Sequence, residues 1–342
     1  MPYLLRPMPP AHSVRDCLTH LRAKLSGDPI NIPRQGSWPE AWHHFDKDAS
    51  LAVVTSVAAG RPLLIRGEPG IGKSQIARAV AAAMHVPFLP FVVNATCECN
   101  DLLFTYDAVS RLAQAQVIGA GRTKPRSWKR DLSERRFLKP QVLWWAINWE
   151  GALKQRDESH DPEQILVPDI PDNWTPGQGT VVLIDEIDKA DSDLPNGLLE
   201  SLSNTGFQLP HGGMGVTLPD GHLPPVIIIT TNEERELPAA FLRRCVVLNL
   251  GFPKDRDEQL KFLIQRGKSD PKNKFSDEVF KQSADQILGD REDVPEGQPR
   301  PGAAEYLDLL RALKELAEDE AGQLEWLKEI AKFVVRKHQP VA

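Results

Sequence analysis

The pattern of apolar residues changes once along the chain, near Pro253. Before Pro253, short continuous apolar runs alternate with segments in which apolar residues recur every three or four positions. Continuous runs are typical of strands buried on both faces of a parallel sheet, and the segments between them are typical of helices. The pattern therefore predicts an α/β fold with a parallel five-stranded sheet. The predicted strands are residues 61–67, 88–94, 180–186, 224–232 and 245–250.

After Pro253 only the helical period continues, and it does so in highly charged sequence. This predicts a smaller α-helical domain behind the sheet domain. We expect an N-terminal extension at 1–44, an α/β domain at 45–253 with an enlarged insert at about 107–179, and an α-helical lid domain at 254–342. Helices are predicted at 14–25, 45–60, 73–85, 254–267, 276–288, 303–318 and 322–337.

Composition limits the class of protein. The 342 residues carry a net charge of −6, so the chain as a whole is not built to surround a polyanion. No apolar run is long enough to cross a bilayer, and the first residues lack the apolar core of a secretion signal. Four scattered cysteines fit a reducing compartment. We therefore expect a cytoplasmic protein that is not inserted in a membrane.

Residues 67–74 read GEPGIGKS and match the phosphate-binding pattern G-x-x-x-x-G-K-[ST]. The pattern follows a predicted strand and opens a predicted helix, which is the context that it requires. Its glycines let backbone N–H groups face inward, and the helix N-terminus adds partial positive charge. Lys73 is predicted to reach the β- and γ-phosphates of a nucleotide, and the Ser74 hydroxyl to hold Mg²⁺. The predicted nucleotide-binding residues are Gly67, Glu68, Pro69, Gly70, Ile71, Gly72, Lys73, Ser74 and Gln75.

Residues 181–188 read VVLIDEID, an apolar strand that ends in two acids. Beside a phosphate-binding loop, Asp185 is predicted to position Mg²⁺ through water, and Glu186 to polarise the attacking water. The fourth predicted strand ends in Thr231 and Asn232. The Asn232 side chain is predicted to hold the same water, although a simple turn after the strand would give the same sequence.

Two adjacent arginines, Arg243 and Arg244, stand directly before the fifth predicted strand. A guanidinium is costly to bury without a partner, so the pair could be an ordinary surface feature. Phosphoryl transfer gives another interpretation, because an added arginine can raise its rate by ~10³–10⁵. We expect these arginines to serve the nucleotide site of a neighbouring subunit, in a head-to-tail assembly that closes into a ring.

The order of these motifs resembles the AAA+ ATPases. Within that group, DLLFTYDAVSRLAQAQ (101–116), LWWAINWEGAL (143–153) and ERELPAAFLRRCVVL (234–248) look like the MoxR and dynein-related branch. The resemblance implies the sheet order 5-1-4-3-2, with a helical lid over the nucleotide. It implies Arg244 as the arginine finger, with Arg243 as the reserve choice. A sensing arginine of the lid would fall at Arg300, which precedes Pro301 instead of lying in the first helical turn.

The enlarged insert resembles the helix-2 insert of this family, which commonly faces the pore or a substrate. Residues 122–139 carry eight Arg or Lys against two acids, and tryptophans stand at 128, 144, 145 and 149. The basic run could grip single-stranded nucleic acid, or its charges could simply be solvated. The density of tryptophan at 144–149 favours a packing helix. Residues 207–219 are predicted to form a β-hairpin, with His211 and Met214 at a tip that faces either a ring pore or solvent.

The resemblance implies a Mg²⁺-dependent ATPase that forms rings, often hexamers, and remodels or activates a protein partner. In this branch the partner often carries a von Willebrand factor A domain. The alternative is a nucleic-acid motor or a subunit of a restriction or defence complex, for which the basic insert is the support. A switch that binds ATP and barely hydrolyses it is a third hypothesis, but the intact pair Asp185–Glu186 argues against it.

Overall fold

The computed structural model describes residues 13–121, 127–210, 215–295 and 300–334. The strands are β1 (Ile30–Ile32), β2 (Ala41–His43), β3 (Leu63–Gly67), β4 (Phe88–Val92), β5 (Phe104–Tyr106), β6 (Leu138–Pro140), β7 (Val181–Asp185), β8 (Gly206–Phe207), β9 (Val216–Thr217), β10 (Val226–Thr231) and β11 (Val246–Leu250). The helices are α1 (Val14–Leu25), α2 (Lys47–Ala59), α3 (Lys73–Met84), α4 (Cys99–Leu103), α5 (Ala108–Ala120), α6 (Trp128–Asp131), α7 (Val142–Ile147), α8 (Trp149–Glu158), α9 (Asp193–Asn204), α10 (Ala239–Leu242), α11 (Arg256–Lys268), α12 (Asp277–Glu292), α13 (Ala303–Leu316) and α14 (Glu320–Val334).

A five-stranded sheet has the order β11-β3-β10-β7-β4. In chain order of the five predicted strands this is 5-1-4-3-2, so the predicted fold class and strand order are confirmed. Strand β7 pairs in parallel with both β10 and β4, with Val181 opposite Val226 and Phe88. Residues 181–184 of β7 have no exposed surface, as expected for a central strand that is covered on both faces.

The described chain folds into two compact units. One contains the described residues through Arg22, with Leu51–Leu64 and Met84–Val247, and the other contains Ala23–Ser50, Ile65–Ala83 and the residues from Leu248 onward. The acid-bearing strand β7 belongs to the first unit, and the phosphate-binding loop belongs to the second. The domain boundaries expected at 44/45 and 253/254 stay predictions.

The C-terminal helices α11 to α14 share one apolar core in the second unit. Tyr306 lies at its centre without exposed surface, and its hydroxyl donates a hydrogen bond of 3.2 Å to the Phe280 carbonyl. A side chain at Gly267 would meet the Tyr306 hydroxyl at 2.9 Å, so glycine allows α11 to approach this close. The predicted helical character after Pro253 is confirmed.

The tryptophan-rich part of the insert is buried, and its first helix, α7, packs against strands β4 and β7 of the sheet. Trp144, Trp145 and Trp149 are all buried, and the ring of Trp149 packs edge-on against those of Trp145 and Trp174. The expected single helix is instead two, α7 and α8, because Asn148 stands between them in a non-helical conformation. The Asn148 side chain accepts a 2.7 Å hydrogen bond from the Gly151 N–H, so it caps the second helix.

The expected hairpin pairs β8 with β9 in antiparallel register, Gly206 opposite Thr217 and Phe207 opposite Val216. Its expected tip, His211 and Met214, lies outside the described residues, as do residues 122–126 of the basic run. In the described part of the chain, none of the helices is both long and apolar enough to span a membrane.

Candidate nucleotide-binding and hydrolysis site

Glycine determines the backbone of the phosphate-binding loop. Gly67, Gly70 and Gly72 have φ values of 155°, 77° and 99°, a region that other residues rarely enter. A Cβ at Gly67 would lie 2.3 Å from the Leu250 carbonyl oxygen, so this position has no room for a side chain. The three glycines of the motif are therefore required by geometry, at the turn where helix α3 begins.

Lys73 is the first residue of α3, and its side chain folds back over the loop. It is only 6% exposed, and Nζ donates hydrogen bonds of 2.7 Å to the Gly67 carbonyl and 3.0 Å to the Glu68 carbonyl. The ammonium is thus held against the loop beside a helix N-terminus. A curved backbone, a helix N-terminus and a buried cation together fit the phosphates of a nucleotide.

The rest of the motif is fixed by residues of the second unit. Partly exposed Ser74 lies in the first turn of α3, and Gln75 donates a 3.1 Å hydrogen bond to the Trp42 carbonyl. The Ala304 N–H, at the start of α13, donates a 3.1 Å hydrogen bond to the Gly70 carbonyl. The loop is therefore tied both to the segment before α2 and to the C-terminal helices.

Two arginines of the C-terminal helices meet the loop, and sequence reasoning missed both. Arg291 of α12 is 9% exposed and donates from Nη2 to Glu68 Oε2 at 2.5 Å. Arg266 of α11 would contact a side chain at Gly72 at 3.6 Å, and its Nη1 lies 3.2 Å from Nδ1 of His43. No local motif marks either arginine, because each is far from the loop in sequence. Arg300, the arginine expected here, is exposed.

The acid-bearing turn follows β7 in the first unit. The Thr230 hydroxyl on β10 donates to Asp185 Oδ1 at 2.5 Å and accepts from the Glu186 N–H at 2.9 Å. Glu186 itself has φ 60° and ψ 49°, a left-handed conformation that costs a non-glycine residue of order 1–3 kcal/mol. Thr230 therefore fixes the direction of the Asp185 carboxylate and the strained backbone at Glu186 together.

Both carboxylate oxygens of Glu186 are engaged. The Asn232 amide donates to Oε1 at 3.2 Å, so the structure brings these two predicted residues together. Lys189, which sequence reasoning missed, donates from Nζ to Oε2 at 2.6 Å. The hydrogen bond to Glu186 raises the pKa of Lys189, so its ammonium stays charged.

A second acid of the LIDEID run organises the loop after β10. Asp188 is 2% exposed, and its carboxylate accepts from the backbone N–H groups of Asn232 and Glu234. This carboxylate holds the segment that carries Asn232. Its burial was not evident from the sequence.

Arg243 and Arg244 follow the short helix α10, and both are exposed. The Arg243 carbonyl accepts a 3.5 Å hydrogen bond from Arg61, which ties the end of α10 to the segment after α2. The structure thus places the pair on the surface of the first unit, where a neighbouring molecule can reach it.

The chain has a glycine loop with a buried lysine, and it has a strand that ends in two acids, each hydrogen-bonded to a residue of the neighbouring chain segment. These two features define the class of P-loop nucleotide-binding proteins. The family model of AAA domains of the dynein-related subfamily matches residues 62–245, more than half of the chain. The chain belongs to this family. A comparison with curated proteins gave no match.

Some solved structures are similar to this chain at low sequence identity. One is a Cytophaga hutchinsonii protein provisionally described as an ATPase, with 13% identity, a TM-score of 0.40, and coverage of 94% of this chain and 86% of that one. Another is a point mutant of Thermotoga maritima RuvB, with 13% identity, a TM-score of 0.43, and coverage of 84% and 70%.

Proposed function

We propose that this protein is a Mg²⁺-dependent ATPase that works as a ring, with the hexamer of the resembled branch as its assembly, and that it remodels or activates a partner protein. The observation that carries the proposal is the phosphate-binding loop, where glycines in left-handed conformations surround the buried Lys73 ammonium. The match to the dynein-related AAA family supports ATP as the nucleotide.

The proposed roles follow from the chemistry of each side chain. Lys73 and the loop N–H groups bind the phosphates, and Ser74 and Asp185 hold Mg²⁺. That ion would neutralise charge that develops on the phosphate oxygens. Glu186 acts as the general base for the attacking water, and Asn232 orients it. Before it can accept a proton, Glu186 must exchange its contact with Lys189 for the water.

The ring is proposed because Arg244 lies exposed on the surface, where a neighbouring subunit can reach it. If Arg244 completes the site of a neighbour, specific activity will rise with protein concentration across the assembly range. Arg244→Ala should remove that rise and lower the rate by ~10³-fold or more, with Arg243→Ala as the matched comparison. Phosphate release measured over a dilution series tests this, and a wild-type rate that is independent of dilution would refute action in trans.

The protein-partner role is supported by the resemblance to the MoxR branch, whose partners often carry a von Willebrand factor A domain. Glu186→Gln, tagged and purified from its native host with Mg-ATP, should hold its client. Mass spectrometry of the co-purified material identifies a protein client. The second candidate is a nucleic-acid motor, which the basic run at 122–139 favours. Nuclease-sensitive nucleic acid without a stoichiometric protein would select it.

A further inference from the structure

A cleft of about 790 Å³ opens beside the insert, within the first unit. This volume falls in the range of roughly 300–1,000 Å³ that is usual for ligand sites. Its depth is lined by carbon, from the buried side chains of Phe104 and Leu138 and from Leu132 and Leu209. Tyr106, which is 41% exposed, and Trp128 also line it. The described residues therefore leave apolar and aromatic surface open in this cleft.

The border of this cleft is positively charged. Lys129 is exposed and lines the cleft, and none of the described carboxylates lies within ion-pair distance of it. Arg135 also lines the cleft, half exposed, with its nearest carboxylate, Glu158, at 3.6 Å. The acid in the lining, Glu134, is neutralised by Arg111 at 2.9 Å. An anionic ligand would therefore meet a lysine that no described carboxylate neutralises.

Two kinds of polyanion fit a basic border, and the lining favours one of them. The side chains of Phe104, Leu132, Leu138 and Leu209 offer a nucleobase no hydrogen bond in place of those that it would lose to water, at a cost in free energy. The neutral polar side chains of the described lining are Asn100, Ser133 and Tyr106. The strongest donor there, Arg111, is already used by the Tyr106 hydroxyl, Glu134 and the Leu132 carbonyl. A bulky aliphatic or aromatic side chain loses no hydrogen bond in the same place and gains burial of apolar surface.

We propose that this cleft binds an acidic peptide segment, with a large apolar side chain in the carbon-lined depth and carboxylates on the Lys129 and Arg135 border. The inference rests on the proposed function, since the segment would belong to the protein on which the ATPase acts. It names the class of that segment: acidic, extended and carrying at least one bulky apolar residue.

The test uses a fluorescein-labelled peptide in which a central phenylalanine is flanked by glutamates. Fluorescence anisotropy with the full-length protein, without nucleotide, should show saturable binding. Replacing the glutamates by serine, or the phenylalanine by alanine, should each weaken binding about tenfold. High salt should weaken binding of the glutamate peptide and leave binding of the serine peptide nearly unchanged.

Matched variants locate the site. Lys129→Glu should weaken peptide binding about tenfold or more, because it reverses a charge at the border that no described acid offsets. Lys281→Glu is the control, since Lys281 is exposed on α12 and does not line the cleft. Trp128→Ala should weaken peptide binding by a similar factor to Lys129→Glu. A circular dichroism melting curve checks that each variant is folded.

Three results would overturn the inference. One is equal affinity for the glutamate and serine peptides, and another is unchanged binding by Lys129→Glu. The third is tighter binding of labelled oligo(dT) than of the peptide, with that binding lost in Lys129→Glu. This result would assign the cleft to single-stranded DNA. ATP hydrolysis by Lys129→Glu, measured alongside, should equal that of the wild type. Failed peptide binding with intact hydrolysis therefore counts against this inference alone, whereas absent hydrolysis in the wild type counts against the proposed function.

Discussion

The phosphate-binding loop and the acid-bearing turn hold their functional groups by different means. In the loop, backbone geometry holds the functional groups. Gly67, Gly70 and Gly72 take left-handed conformations, and Lys73 donates hydrogen bonds to carbonyls only five and six residues away. In the turn, Glu186 is held by side chains, from Lys189 nearby and from Asn232 forty-six residues further on. A side chain added to a loop glycine should therefore disrupt the loop. Substitutions among the side chains that hold Glu186 should instead change activity by amounts that depend on the contact removed.

The largest effects should be loss of nucleotide binding when the loop is changed and loss of hydrolysis alone when the turn is changed. Lys73→Ala should abolish measurable nucleotide binding, because it removes the buried ammonium of the loop. Glu186→Gln should retain binding and lower kcat by ~10²–10⁴-fold, because the amide cannot accept a proton from water. Anisotropy with a fluorescent ATP analogue and phosphate release measure the two quantities.

The control for this pair is Glu236→Gln, an exposed acid in the same unit as Glu186. It should leave both quantities unchanged. Hydrolysis that survives in Glu186→Gln would show that another residue acts as the base, and binding that survives in Lys73→Ala would remove the loop from the site.

The same contrast explains how much the sequence could predict. The strands and the loop follow from local patterns, since glycines at fixed spacing and continuous apolar runs carry their own geometry. The strand order does not, and its prediction came from the resemblance to the AAA+ ATPases. The motif also named Asp185 and Glu186. It could not name Thr230 as their partner, because hydrogen bonds between strands depend on register. Lys189 is only three residues from Glu186, but the motif does not show the turn that brings the two side chains together. Arg266 and Arg291, which meet the loop, were missed for a similar reason: helical periodicity places these arginines on helices and does not show which helix face meets the loop.

A pair of glycines can isolate the contribution of the loop's shape. Gly70 and Gly221 have nearly equal φ values of 77° and 78°, but a Cβ at Gly70 would lie 3.2 Å from that of Ala304, and one at Gly221 would meet nothing within 4 Å. Both Gly→Ala changes should lower the free energy of unfolding by about 1–2 kcal/mol through backbone strain. Only Gly70→Ala should also weaken nucleotide binding, by about tenfold.

Denaturant unfolding and nucleotide titration of both variants decide this. An equal loss of nucleotide affinity in Gly221→Ala would mean that general destabilisation, and not loop shape, reduces binding.

His43, beside the loop, should make stability depend on pH. It is 1% exposed, and burial first, then the charge of Arg266, holds its pKa well below the usual value of 6.5. The native state therefore keeps His43 neutral, while the unfolded chain takes up a proton below pH 6.5. The contribution of neutral His43 to the free energy of unfolding is present above pH 6.5. It is lost as the pH falls further, by up to about 1.4 kcal/mol per pH unit. His43→Gln keeps an acceptor for Arg266 and does not titrate.

The difference in free energy of unfolding between wild type and His43→Gln should consequently shrink by about 1–2 kcal/mol from pH 7 to pH 5. Titration of the carboxylates affects both proteins alike, so it cancels in this difference. A difference that stays constant over that range would show that His43 is not held neutral in the native state.

The smallest effect should come from Lys189, the charged contact of Glu186. Lys189 is 41% exposed, and pairs of this kind contribute only about 0.2–1 kcal/mol. Lys189→Gln should free the Glu186 carboxylate for water and raise basal kcat by about two- to fivefold, with nucleotide affinity unchanged. Lys189→Arg keeps the charge and should stay near the wild-type rate. A fall in kcat for Lys189→Gln would contradict a restraining contact and would instead make Lys189 a residue that orients Glu186, so the side-chain network would be as intolerant as the glycine loop.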